Sequence, residues 1–487
     1  MVHAFDPGTQ WALVVSLCVM AGIGLLTFVA VLRRWQQNLY FRYLHGLRTR
    51  YRATLAEVLS GSCSQRAWDT LWRLPLRDLE LLLDPLFSKR RLPQTHQVIL
   101  RNLCVELGLI EVWQRRVARQ CEQRGWMRRR GRALAIRAEG PRLLLRRAKS
   151  IRNLGVLRHE ASWPLLVKAL DDPSSDIQAV ALRALGAIHA PASFPAILDR
   201  LHAVALGQRT FPSLPAIEAA LVCFDLRSSA LLEISLRHPH REIRRIAAET
   251  LRVMTRREAA RLPDFELTPE NLSAEFADLL LEALPRDSSA EVRGSTAEVV
   301  ALVRDPRVST VLFELLYDPH WQVRLRAVRG LAGSQLSTDL LLLGIRDCLR
   351  DSHGLVRDAA IRTLISLGRM GRQHLYEDFL TSGDSTLRAQ IVEAVECTGL
   401  LASLVEDYSA GTGGVEALMV EQLASEAAPQ GFSGVLGRVN PPIRQKFQER
   451  FLPYVHFRML HQERSPWVAG FHSNLQQVLE FPPVLAA

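Results

Sequence analysis

Apolar residues recur along the middle of this chain in one short pattern, copied six times. The copies align on Gln178, Arg244, Arg293, Arg324, Arg357 and Arg388. The residue before each is Ile177, Ile243, Val292, Val323, Val356 or Leu387. Three residues after come Ala181, Ala247, Thr296, Ala327, Ala360 and Ile391; seven after come Leu185, Leu251, Val300, Leu331, Leu364 and Val395. Apolar positions at −1, +3 and +7 lie on one helical face. The last three intervals between anchors are 31, 33 and 31 residues. A fixed period of this size predicts one helical hairpin per repeat, and a lone hairpin cannot bury its apolar stripe, so the copies must stack. Nowhere does the two-residue alternation of strands recur, so the expected fold class is all-α.

The six positions extend into a longer unit. An acid sits six residues before four anchors: Asp172, Asp287, Asp318 and Asp351. At the other two, His238 and Ser382 take its place. A leucine eight residues before the anchor (Leu170, Leu236, Leu316, Leu349, Leu380) closes the preceding helix. The carboxylate falls in the turn before the second helix, where it can accept backbone N–H groups and meets the helix dipole favourably. The arginine in the first turn of that helix can reach an acid or carbonyl of an adjacent repeat. The expected structural ladder is therefore Asp172, Gln178, Arg244, Asp287, Arg293, Asp318, Arg324, Asp351, Arg357 and Arg388. Segments such as DPHWQVRLRAVRGLA (318–332), DSHGLVRDAAIRTLISLG (351–368) and DPSSDIQAVALRALG (172–186) resemble HEAT repeats, in the short form of phycobilisome-lyase-type HEAT proteins. That resemblance implies a stacked α-solenoid and assigns the Asp and Arg side chains to links between repeats.

Spacing also locates the irregular repeats. From 177 to 243 is 66 residues, which leaves room for a degenerate hairpin near Phe211–Phe224. From 243 to 292 is 49, and the surplus falls in an insert near Arg256–Ser273. A further degenerate hairpin begins the array near Arg142–Gly155, because Leu154–Gly155 stands one period before Leu185–Gly186. The array is expected over 142–408, followed by a C-terminal region, 409–487. There Ile443–Arg464, with Phe447, Phe451, Tyr454 and Phe457, is an expected helix suited to covering the open end of the stack.

Ahead of the repeats, Trp11–Leu32 is 22 residues without a charge. As a helix it measures about 33 Å, enough for a hydrocarbon core of about 30 Å. Arg33, Arg34 and Trp35 follow at once, and no Lys or Arg precedes the span. The expected reading is a single transmembrane helix, 11–32, with residues 1–10 outside and the rest cytoplasmic, at the cell (inner) membrane. A cleaved signal peptide would carry a basic leader and a shorter apolar core.

Composition sharpens this division. The net charge is +11, yet residues 33–150 hold 26 Lys/Arg against 9 Asp/Glu, and those from 151 onward hold 35 against 40. The basic region, 33–141, is expected to be helical: Gln36–Leu59, Arg66–Leu74, Leu76–Phe87, Gln94–Gln120 and Trp126–Arg137. Arg33, Arg34, Arg128, Arg129, Arg130 and Arg132 are candidates for contact with anionic headgroups, each worth about 1 kcal/mol near such a surface. Seven scattered cysteines form no CxxC and no metal spacing, which suits a reducing compartment. There is no GxxxxGK[ST], HExxH or GxSxG. His159–Glu160 is a lone His-Glu pair, where the HEAT family of deoxyhypusine hydroxylase holds iron with several. No catalytic, cofactor or metal site is expected. The leading expectation is a membrane-anchored scaffold, of bacterial type, that binds a protein partner. One alternative is a lyase-type enzyme or subunit with a small ligand in the solenoid groove. Another is nucleic-acid binding through the arginine-rich segment, which would show steep salt dependence.

Overall fold

The computed structural model describes residues 7–60, 65–88, 93–118, 141–262, 265–267, 273–332, 339–411, 414–426, 435–436 and 438–460. It divides into two compact units, Met1–Phe224 and Asp225–Ala487. The break lies inside the span expected for the array. Among the described residues no β-strand occurs; one isolated parallel bridge joins Leu267 and Val303.

The first unit opens with α1 (Pro7–Leu59), a single helix of 53 residues. It is about 80 Å long. The apolar span and the expected helix Gln36–Leu59 are thus one element, because neither Gly nor Pro interrupts 33–45. Its first buried residues are Leu44 and Leu47. Below them α1 packs on α2 (Gln65–Trp72), α3 (Leu76–Phe87) and α4 (Gln94–Glu106). The helix expected over Gln94–Gln120 is broken at Leu107–Gly108, where Gly108 adopts φ of 70°, a left-handed conformation open to glycine at low cost. The chain resumes in α5 (109–118). Leu79, Leu82, Leu83 and Phe87 of α3 join Leu100, Cys104 and Trp113 in one buried cluster with Leu47, Val58 and Leu71. The expected helix Trp126–Arg137 lies outside the described residues.

The rest of this unit is repeats. α6 (Pro141–Val156) is the inner helix of the first hairpin, followed by α7 (Trp163–Ala169) and α8 (Ser175–Ile188). The degenerate hairpin is α9 (Phe194–Ala205) with α10 (Leu214–Leu221), an inner helix cut to eight residues. Inner helices α6, α8 and α10 stack side by side. Glycine sets how closely: a Cβ on Gly155 would stand 2.7 Å from Ala184 Cα, and one on Gly186 would stand 3.2 Å from Ala220 Cα.

The second unit continues the alternation. Outer elements are α11 (Glu233–Leu236), α13 (Ala274–Asp278), α15 (Val308–Leu316), α17 (Asp339–Asp347), α19 (Gly368–Thr381) and α21 (Leu400–Ala410). Inner helices are α12 (Arg241–Arg261), α14 (Ala290–Val300), α16 (Trp321–Ala332), α18 (Gly354–Ser366) and α20 (Ser385–Thr398), each packed on the next. The −1, +3 and +7 residues are buried throughout this row. The insert lengthens α12 to 21 residues, then returns along the next repeat: Leu267 N–H donates to Leu302 O at 2.7 Å. α22 (Val415–Glu426) and α23 (Pro441–Leu460) end the unit. Phe447 and Phe451 of α23 are buried against Tyr408 of α21, with ring centroids 5.3 and 5.8 Å away. The aromatic helix therefore covers the last hairpin.

Candidate functional site: the ladder and the inner helix face

Each repeat turn is built on its acid. One carboxylate oxygen accepts the N–H two residues on: Asp172 from Ser174 at 2.9 Å, Asp287 from Ser289 at 2.7 Å, Asp318 from His320 and Asp351 from His353 at 2.8 Å. That bond fixes the turn and presents the carboxylate toward the previous inner helix. The anchor arginine of that helix grips it with two donors. Arg244 Nε is 2.6 Å from Asp287 Oδ2 and Nη2 is 3.1 Å from Oδ1; Arg293 holds Asp318 at 2.6 and 2.9 Å; Arg324 holds Asp351 at 2.5 and 2.8 Å. The remaining nitrogen, Nη1, donates to the arginine's own turn carbonyl: His238 O, Asp287 O, Asp318 O and, for Arg357, Asp351 O, at 2.7 to 2.9 Å. One side chain thus ties its own turn to the next. Gln178 donates to Asp172 O in the same way.

The repeats that depart from the pattern keep its geometry with other groups. Where the acid is His238, Nδ1 accepts the N–H of His240 at 3.0 Å; where it is Ser382, Oγ accepts that of Asp384 at 3.1 Å. With no carboxylate at 382, Arg357 Nε turns to Gln390 Oε1 at 3.0 Å. Arg388 stands 5.4 Å from the Phe379 ring centroid. Arg147 of α6 is a rung that sequence reading passed over. It is bonded to Asp172, and both side chains are almost fully buried, 4% and 5% exposed. The signal was present: Arg147 lies 31 residues before Gln178 and seven before Leu154.

The ladder is electrostatically settled. Burial by itself would raise the Asp318 carboxyl, but hydrogen bonds from Arg293 and the His320 N–H outweigh it and hold its pKa below the usual value. Asp351 is lowered in the same way by Arg324 and the His353 N–H, against burial. A fork of two charged hydrogen bonds is a strong contact, and it leaves these guanidinium groups engaged within the protein.

A second network, unmarked in the sequence, runs across the inner faces of α12, α14 and α16. Arg252 bonds Glu249 at 2.6 Å on its own helix and Glu298 at 2.8 Å on the next. Ser295 Oγ donates to Glu249 at 3.0 Å, and Arg326 of α16 donates to Ser295 Oγ at 2.6 Å. Arg326 reaches across because Gly294 leaves room; a Cβ there would stand 3.0 Å from Arg326 Cδ. Burial tends to raise Glu249, but Arg252 and Arg326 outweigh it and lower its pKa.

Elsewhere the predicted residues stay apart. Arg33 and Arg34 are exposed on α1 just past the apolar stretch. Arg128, Arg129, Arg130 and Arg132 lie outside the described residues. His159 Nδ1 is 2.8 Å from Ser162 Oγ, and among the described residues no three potential metal ligands gather.

Stacked hairpins joined by an acid–arginine ladder define the class. Residues 228–332 and 277–364 match the model for HEAT repeats, so this stretch of the chain is built of HEAT repeats. No curated protein matches the chain. Human deoxyhypusine hydroxylase in complex with glycerol is 16% identical at TM-score 0.23, with 52% of this chain and 90% of that one covered. Importin beta is 13% identical at TM-score 0.35, covering 88% and 53%; Kap121p bound to Nup53p is 12% identical at 0.37, covering 84% and 50%. The chain spans about half the length of the latter two proteins.

Proposed function

We propose that this protein is a single-pass membrane protein whose HEAT repeats bind a protein partner at the cytoplasmic face of the membrane. The observation that carries the anchor is the exposure of the apolar part of α1. Val19, Met20, Ile23, Leu25, Leu26, Phe28, Val31 and Leu32 are all exposed, and no described part of the chain covers them. A core helix of this composition would be hidden, and such a surface in water would be an aggregation hazard. The basic residues Arg33 and Arg34 at one end and their absence at the other support a cytoplasmic C-terminal side.

The repeats supply the binding part. Their ladder groups are occupied with one another, so they hold the stack and leave recognition to the exposed inner-helix positions, such as Gln322, Arg329 and Arg362. A row of rigid helices offers an extended surface of the kind that repeat proteins use for partners.

The test has two parts. Tags at both ends of the full chain should resist alkaline extraction with the membrane, the N-terminal tag accessible from outside and the C-terminal tag from the cytoplasmic side. Release by the alkaline wash would sink the anchor. Purified from gently solubilised membranes, the chain should carry a stoichiometric protein that is lost in Arg329→Glu/Arg362→Glu. Recovery of a chromophore, a metabolite or nucleic acid in its place would sink the scaffold reading.

A further inference from the structure

The corner between α2 and α3 carries an exposed Trp–Leu pair between arginines, at the end of the bundle that faces the apolar span. Trp72 is 60% exposed and Leu76 42%. Arg73 and Arg77, beside them, are exposed as well. This is not a frayed loop. Arg73 N–H bonds Asp69 O, Leu74 N–H bonds Leu71 O and Asp78 N–H bonds Pro75 O, at 3.3, 3.1 and 2.9 Å. The same corner sends Leu71 and Leu79 into the core, at 1% and 2% exposure. Its apolar residues are therefore sorted, some held inward and two held outward.

The height of the corner follows from α1. Asp78, the third residue of α3, stands near enough to Tyr43, at the top of the packed part of α1, to raise the pKa of its phenol. Leu44 and Leu47, just below, are the first buried residues of that helix. Tyr43 is 11 residues past Leu32, the last residue of the apolar span. Along an unbroken helix that is about 16 Å. The headgroup layer occupies roughly 5 to 8 Å of it on each side of the hydrocarbon core. A helix tilt of about 20°, usual for spanning helices, brings one side of the bundle several ångströms nearer. Arginine and tryptophan side chains cover the remainder. By contrast Arg48, Arg50 and Arg52 lie some 24 to 30 Å past Leu32, far beyond a screening length of about 8 Å.

We propose that the α2–α3 corner is a second membrane contact, in which Trp72 and Leu76 enter the headgroup layer of the leaflet into which α1 runs and Arg73 and Arg77 engage anionic lipid. Tryptophan suits this depth, having an apolar body and a polar N–H. Two arginines near an anionic surface add to it. The bilayer is favoured over a protein as occupant because the corner is continuous, through α1, with the span. Held at two points, the first unit cannot swivel about its anchor. This inference rests on the anchor reading above.

The experiment uses the full chain in nanodiscs of phosphatidylcholine, with or without a quarter phosphatidylserine, and reads amide exchange over residues 66–80. With the anionic lipid, exchange at the corner should slow by up to roughly thirtyfold, reflecting the two arginines. The protection should vanish in Arg73→Glu/Arg77→Glu and fall in half-molar salt, while α4 exchanges as before. Trp72→Ser should lose part of the protection in both lipids. Both sites are on the surface, and unchanged exchange in α4 verifies that the variants fold. Equal corner exchange in the two lipids, with the chain inserted, would overturn this contact and leave the anchor standing. A chain that does not insert at all would overturn both.

Discussion

Arg147 and Asp172 are two opposite charges withdrawn together from water, and each needs the other. Truncating one leaves an uncompensated buried charge, a change that typically costs about 3 to 5 kcal/mol. Arg147→Met and Asp172→Asn should each lower the unfolding free energy of the first unit, read from denaturant titration, by an amount in that range, whereas the double variant should recover part of the loss; two independent, additive losses would show that the pair does not act as one. The rungs of the second unit respond to acid. The folded pKa values of Asp318 and Asp351 are lowered. The stability they confer is therefore present above the unfolded carboxylate value of about 4 and disappears as pH falls through the lower folded value. Thermal melting of the second unit should be level from neutral pH to about pH 5 and decline below about 4. In Arg293→Gln/Arg324→Gln the unit should start less stable and decline less steeply, and an unchanged slope would contradict the ladder as its source.

At the scale of elements, the same substitution should have opposite signs in two helices. Gly46 lies in a helix with nothing within 4 Å of an added Cβ. Gly46→Ala should stabilise α1 by about 0.5 to 1 kcal/mol through helix propensity alone. Gly155 faces the Ala184 backbone at 2.7 Å, and that backbone cannot swing aside as a side chain can. Gly155→Ala should cost about 1 to 3 kcal/mol by forcing α6 off α8, despite the same propensity gain. Melting temperatures of the two variants decide it. The comparison also shows what the sequence discloses. The −1, +3 and +7 residues could be read because each inner helix repeats one burial pattern, and Leu154–Gly155 gave away the first hairpin. Arg147 escaped because Arg146 and Ser150 occupy its −1 and +3 positions, where the other copies are apolar or Thr. The Arg252–Glu298 and Arg326–Ser295 bonds could not be read at all. They join residues 46 and 31 positions apart and depend on Gly294 lying beneath a side chain from the next repeat, a fact of packing with no local signature.

For the whole molecule the ladder sets how far cooperativity extends. Repeat proteins are held by nearest-neighbour interfaces, and strong interfaces make neighbours unfold together. In the second unit the arginine rungs run without a gap from Arg244 through Asp287, Arg293, Asp318, Arg324 and Asp351 to Arg357 and Gln390, with the α12–α14–α16 network beside them. Past Gln390 the cover is aromatic, from Phe447 and Phe451 on α21. The first unit instead combines one buried rung with a separate apolar cluster around Leu83 and Trp113. The two units should therefore melt in separate transitions, since what ties each together differs in kind. Arg324→Gln removes a middle rung and should lower the second unit's transition as one block, accelerating amide exchange in α12 and α18 alike, while leaving α3 and α4 untouched. Exchange that quickens only beside residue 324 would mean that the rungs act singly. A shift in α3 would mean that the two units are one cooperative body, in which case acid or substitution at the repeats would also loosen the bundle on α1, and the anchored end would report on the state of the array.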